Sequence, residues 1–250
     1  MGLIGIYNHP EASKMAYFGL YAQQHRGQES CGIAAWDGVK QAEYRGLGLV
    51  PDAFNEDILN KLPGQIAIGH VRYGGKGEQS LRNAEPFCVR HGDLQLAVAH
   101  NGALINNKLL RKRLENEGAI FHTDTDSELL VHLIILHLGK HELVEAVRQA
   151  CLEVEGAYCF VILANETLIA ARDPHGVRPL SLGRLDRGWV VASETAALDI
   201  VGASFVRDIE PGELLAIDAD GVRSSRFAPP TPKGCVFEYV YLARPDTTIA

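Results

Sequence analysis

No apolar run in the 250-residue sequence approaches the length of a membrane span. A signal peptide is missing from the opening residues, and no repeat or low-complexity tract interrupts the chain. Excess positive charge is lacking too: the formal net charge is −7 and the pI near 5.8, which argues against nucleic acid or an anionic membrane as a main partner. The five cysteines, Cys31, Cys88, Cys151, Cys159 and Cys235, are odd in number and widely spaced. They form neither a disulfide framework nor a zinc pattern, so a reducing, cytoplasmic setting is expected. Arg45-Gly46-Leu47-Gly48-Leu49-Val50 lacks the third glycine of a dinucleotide loop and reads as a turn. His137 and His141 lie one helical turn apart without an evident third ligand, and read as a solvated helix face.

With 46% hydrophobic and 22% charged residues, the composition is that of a soluble globular protein able to bury a large core. Met1 to Ile6 forms a first strand. A helical pattern runs from Pro10 to about Gln24, and Cys31 to Trp36 reads as a buried strand. Ile66–Tyr73 and Leu94–Asn101 are strands, the second alternating at Leu94, Leu96 and Val98. Asn107 is placed to cap a helix ending at Glu117-Gly118. Thr125-Asp126-Ser127-Glu128 has capping-box spacing before an apolar stretch that stops at Gly139. Glu142–Val154 carries one more helical face. Strands follow at Ala157–Ala164, Leu168–Arg172, Trp189–Ser193 and Glu213–Ile217, with a short helix near Ala196–Val201 and a turn at Asn165-Glu166-Thr167. Helices clustered between two groups of strands predict an α+β layering. The proline-rich residues 228–233 are a linker candidate, dividing 1–227 from a short remainder, 228–250.

Gly2-Leu3-Ile4-Gly5-Ile6 resembles the start of the class II glutamine amidotransferases, whose mature chains begin with a nucleophilic cysteine; here that position holds Met1. Leu20-Tyr21-Ala22-Gln23-Gln24-His25-Arg26-Gly27-Gln28-Glu29-Ser30, Gly69-His70-Val71-Arg72-Tyr73, Ala99-His100-Asn101-Gly102 and Asp126-Ser127-Glu128 are similar to successive motifs of that group. Arg172-Asp173-Pro174-His175-Gly176-Val177-Arg178-Pro179-Leu180 extends the match, and Phe237-Glu238-Tyr239-Val240-Tyr241-Leu242-Ala243-Arg244-Pro245-Asp246 narrows the resemblance to the amidophosphoribosyltransferase family, which makes phosphoribosylamine from phosphoribosyl pyrophosphate and glutamine in the first committed step of purine synthesis.

The resemblance implies a four-layer αββα sandwich of the N-terminal nucleophile (Ntn) hydrolase type and a glutaminase over 1–227, truncated before a phosphoribosyltransferase domain that begins within 228–250. It places the nucleophile at residue 1 with its own α-amine as base. Asn101 and the Gly102 N–H would hold the oxyanion. Arg72 would pair with the glutamine α-carboxylate and Asp126 with its α-ammonium, with Arg26 and Gly27 supporting the terminal strand. Gly75 stands where relatives carry a threonine near bound glutamine. A thioether has no proton to lose, so a chain with Met1 is expected to be inactive. No cofactor is expected in this domain. Mg²⁺ belongs with the absent domain, and Cys235 matches a [4Fe–4S] ligand of some relatives. Glutamine and that second domain are the expected partners, within a cytoplasmic homo-oligomer. Read singly, the residues have plainer explanations: a hairpin turn at Asn101-Gly102, a helix-cap neighbour at Asp126, a surface ion pair at Arg72, scaffold at 172–180. Two other readings stay open: a non-catalytic glutamine-binding or interaction domain, or another class II amidotransferase of the glucosamine-phosphate or asparagine synthetase type.

Overall fold

The structure is a computed structural model that describes residues 1–74 and 80–248. Gly75 lies outside the described residues. The strands are β1 (Gly2–Tyr7), β2 (Ser30–Trp36), β3 (Gln41–Leu47), β4 (Ile66–Arg72), β5 (Phe87–His91), β6 (Leu94–Leu104), β7 (Gly156–Ala164), β8 (Thr167–Arg172), β9 (Ser181–Arg184), β10 (Trp189–Ala192), β11 (Ser204–Asp208), β12 (Glu213–Asp218) and β13 (Gly221–Arg226). The helices are α1 (Ala12–Ala22), α2 (Val50–Ala53), α3 (Glu56–Asn60), α4 (Asn107–Asn116), α5 (Asp126–Leu138), α6 (Leu143–Glu153) and α7 (Thr195–Ile200).

Two antiparallel sheets result, one in the order β11-β9-β10-β1-β4-β2-β3 and the other β13-β12-β8-β7-β6-β5. Their side chains divide by the two-residue period of a strand. In β1, Leu3 enters the layer between the sheets with Ile68, Ala99 and Val161, while Ile4 and Ile6 face Ala16 and Leu20 of α1. On the other sheet, Leu96, Val98, Phe160 and Ile162 pack against Leu130, Ile134 and Val147 of α5 and α6. Helix, sheet, sheet and helix layers thus form the αββα sandwich expected.

β1 is an inner strand because both edges are occupied, by β4 and β10. Ser193 closes the second edge: its hydroxyl accepts from Leu3 N (3.0 Å), and its own N–H donates to Leu3 O (3.1 Å).

Two local readings change, and one plainer explanation falls. Arg45-Gly46-Leu47 is not a turn but the end of β3, paired along its length with β2; the turn comes at Gly48, where φ is +88°. Asn107 is the first residue of α4, not its cap, and its side-chain amide donates to Asp126 instead. Asn101-Gly102 is no hairpin tip, since both residues lie inside β6 and pair with Cys159 and Tyr158. At α5, Thr125 Oγ1 accepts from Glu128 N (3.3 Å) as the capping spacing predicts. The reciprocal half is absent: the buried Glu128 carboxylate instead accepts from the N–H groups of His122 (2.7 Å) and Thr123 (2.6 Å).

Candidate active site

At the N-terminal end of β1, a cavity of about 260 Å³ is lined by Met1, Tyr73, Asn101, Gly102, Arg178, Cys235, Phe237, Tyr241 and Leu242. Met1 meets Asn101 and Gly102 there although β1 and β6 belong to different sheets. Arg72 and Asp126 lie outside this lining.

A buried ionic cluster fixes Met1. Arg26, 1% exposed, spreads its guanidinium over three acceptors: the Met1 carbonyl (3.0 Å), Glu194 Oε1 (2.6 Å) and the Glu238 carboxylate (2.9 and 3.1 Å). Only arginine presents donors in that fan. Glu194 also engages His25 Nε2 (2.8 Å) and accepts from Thr247 Oγ1 (2.7 Å), while Arg178 Nη1 donates to Glu238 (2.7 Å). Burial opposes the Glu194 charge, but hydrogen bonds from His25 and Arg26 and the Arg26 charge hold its carboxyl down at about 2. Gly27 serves a different end. A Cβ there would stand 2.5 Å from the Arg72 carbonyl carbon, so only glycine lets this loop lie against the end of β4.

The α-amine of Met1 is lowered to about 5, first by burial and then by the charges of Arg26 and Arg178. At neutral pH it is a free base, carried by a residue that lines the cavity. Beside it, Asn101 is 3% exposed and its Nδ2 has no hydrogen-bond partner among the described residues. An unpaired buried amide donor is costly, and one aimed at a polar ligand recovers that cost when the ligand binds. Gly102 has φ +150°, and a Cβ would clash with Ala157 O at 1.9 Å.

The other predicted groups face internal partners. Arg72 Nε is 3.6 Å from Glu29 Oε1 and makes no hydrogen bond among the described residues. Asp126 accepts from Leu104 N (3.0 Å) with one oxygen and from the Asn107 amide with the other. Residues 172–180 divide in role. Arg172 is scaffold, donating to the carbonyls of Arg178 (2.8 Å), Gly176 (2.9 Å) and Ile209 (2.6 Å), whereas Arg178 reaches the cavity. His137 pairs with Glu153 (2.5 Å), and no group of three or more His, Cys, Asp or Glu among the described residues could hold a metal. Cys235 therefore lacks the companions a cluster needs among the described residues.

A family model described as a glutamine amidotransferase domain matches residues 76–200, half of the chain. The chain belongs to the glutamine amidotransferase domain family. The amidophosphoribosyltransferase of Mycobacterium tuberculosis (strain ATCC 25618 / H37Rv) is 54% identical over 256 residues, covering 100% of this chain and 49% of the relative. That of Bacillus subtilis (strain 168) is 43% identical over 250 residues, covering 99% of this chain and 52% of its own. The solved glutamine phosphoribosylpyrophosphate amidotransferase from B. subtilis, complexed with ADP and GMP, superposes with a TM-score of 0.95 at 43% identity, over 100% of this chain and 54% of that one. The chain thus spans about half the length of the curated relatives it matches, and it shares the Ntn-type architecture of this glutamine amidotransferase domain.

Sequence reasoning missed Glu85, Ser193, Glu194, Arg178 and Glu238. Arg178 and Glu238 sit inside the two motifs that extended the resemblance, which was the available signal. Glu85 and Glu194 carried none, because a lone glutamate is far more often exposed than buried.

Proposed function

We propose that this chain is the glutaminase part of an amidophosphoribosyltransferase, releasing ammonia from glutamine for addition to phosphoribosyl pyrophosphate. The observation that carries the reading is the unpartnered, buried Asn101 amide beside an N-terminal amine that is neutral at pH 7. Glutamine hydrolysis needs that pair: a base to take a proton from a nucleophile on residue 1, and a donor waiting for the oxygen that becomes negative. The Gly102 N–H supplies the second donor. Arg72, with an Nε not yet hydrogen-bonded, takes the α-carboxylate, and Asp126 takes the α-ammonium through the remaining lone pairs of its oxygens.

Met1 leaves the nucleophile's place filled by a thioether, so this chain binds glutamine without forming a thioester. Residues 1–227 form the glutaminase unit, and 228–250 lead into a phosphoribosyltransferase domain, where phosphoribosyl pyrophosphate and Mg²⁺ bind. The full protein works in the cytoplasm as a homo-oligomer. No helix of the described residues is long and apolar enough to cross a membrane.

The test compares this chain with a form presenting cysteine at position 1, measuring glutamate and ammonia at saturating glutamine. Activity in the cysteine form alone supports the reading; equal activity in both places the nucleophile elsewhere. Met1 itself favours a second reading, a glutamine-binding module without chemistry, which gains if both forms bind glutamine and neither hydrolyses it.

A further inference from the structure

β6 loses its neighbour where the site begins. β5 pairs with it only from Phe87↔Val98 to His91↔Leu94, so residues 100–104 have β7 on one edge and, among the described residues, no strand on the other. Two carboxylates stand there instead. Glu85 Oε2 accepts from His100 N (2.8 Å), and Asp126 Oδ2 accepts from Leu104 N (3.0 Å). In an antiparallel pair, alternate N–H groups point to the same edge. The Gly102 N–H therefore faces this edge too, midway between the two carboxylates, and the Asn101 amide is attached to the segment they bracket.

Resting on the glutaminase reading above, we propose that Glu85 is a positioning residue: its carboxylate replaces the missing strand and sets the 100–102 backbone so that the Asn101 and Gly102 donors converge on one point. Glu85 is 2% exposed and built in from all sides. His70 of β4 approaches to 3.5 Å, and the Ser127 hydroxyl and Asp126 of α5, Arg72 of β4 and the Met1 amine face it. The neighbouring rings are neutral at pH 7, since burial takes His70 well below its usual range and His100 to about 4. Burial also pushes the Glu85 carboxyl up to about 7, against the hydrogen bond from His100. The acceptor at this edge therefore changes charge in the neutral range while keeping an oxygen in place.

Two measurements test the proposal. In NMR spectra of the isotope-labelled chain as it stands, the His100 amide proton should titrate with a midpoint near 7, and Glu85→Gln should abolish that titration. In the form with cysteine at position 1, Glu85→Leu should lower kcat about tenfold or more while KM for glutamine changes less than about threefold. Glu85→Gln, which keeps an acceptor oxygen, should restore kcat to within about threefold. A pH-independent His100 amide, equal kcat in the Leu and Gln variants, or a fall beyond about tenfold in Glu85→Gln overturns the assignment. Should Glu85→Leu not fold, the amide titration and the Gln variant still decide. If the cysteine form releases no ammonia at all, the glutaminase reading falls, and the amide titration alone judges the hold of Glu85 on β6.

Discussion

Replacing Arg26 with methionine keeps the length of its side chain and removes every donor. The Met1 carbonyl, Glu194 and Glu238 all lose a partner at once, and both carboxylates are almost fully buried. Removing one partner of a buried ion pair costs about 3–5 kcal/mol, because the other charge stays in the interior. Here Glu194 keeps His25 and Thr247, and Glu238 keeps Arg178, so the lower half of that range applies. The penalty should depend on pH. In the parent, Glu194 is held at about 2 against an ordinary 4.5, so its contribution is complete above pH 4.5 and lost only as pH falls toward 2. In the variant Arg26 no longer holds that carboxyl down, so below pH 4.5 the parent loses up to roughly 1.4 kcal/mol per unit that the variant does not lose. Between pH 6 and pH 3 the stability gap should therefore shrink by about 2 kcal/mol. Urea unfolding of both proteins across that range measures it. At a slope of about 3 kcal/mol per molar, the midpoint loss at pH 6 is roughly 1 M. A gap that stays constant or widens on acidification would refute the claim that uncompensated carboxylate charge is the cause.

Acylation of the Met1 amine, followed on the N-terminal peptide by mass spectrometry, should show a midpoint near pH 5 in the folded chain and about 8 after unfolding. The lowered amine also makes stability rise with pH between those values, and a folded midpoint near 8 would mean the amine is solvated. Calorimetry should lose the glutamine signal in Arg72→Ala, by about 2–5 kcal/mol, and weaken it far less in Asn101→Ala. Equal losses would show that the two roles are misassigned. Gly102→Ala should destabilise the fold by more than about 2 kcal/mol in thermal or urea unfolding, because its Cβ would enter the β6–β7 ladder at Ala157 O. A variant as stable as the parent would show that β6 can move aside.

The inner elements were legible because their side chains obey one period. Leu94, Leu96 and Val98 alternate, and α5 shows its start at Thr125 and its stop at Gly139. The strands that escaped notice, β3, β5, β9, β11 and β13, are short, polar or at sheet edges, where half the residues face water and no alternation survives. For the site, Asn101, Gly102 and Met1 could be grouped through motif resemblance, and they do line one cavity. Glu194 could not, since a charged residue becomes a core residue only when a partner such as Arg26 arrives from a distant segment. Distances of that kind leave no periodic trace.

The clamp between Leu3 and Ser193 joins residues 190 positions apart, and it bears on how the chain is made. β1 emerges from the ribosome early and can pair with β4 once Ile66–Arg72 has followed. Its other edge waits for β10, after strands β5 to β9 and the long helices α4, α5 and α6 have been synthesised. Throughout that interval an aliphatic strand lies with its backbone donors and acceptors open, a template for pairing with a neighbouring nascent chain. Slowing translation between β4 and β10 should therefore lower the soluble yield, whereas a pause after Ser193 should not.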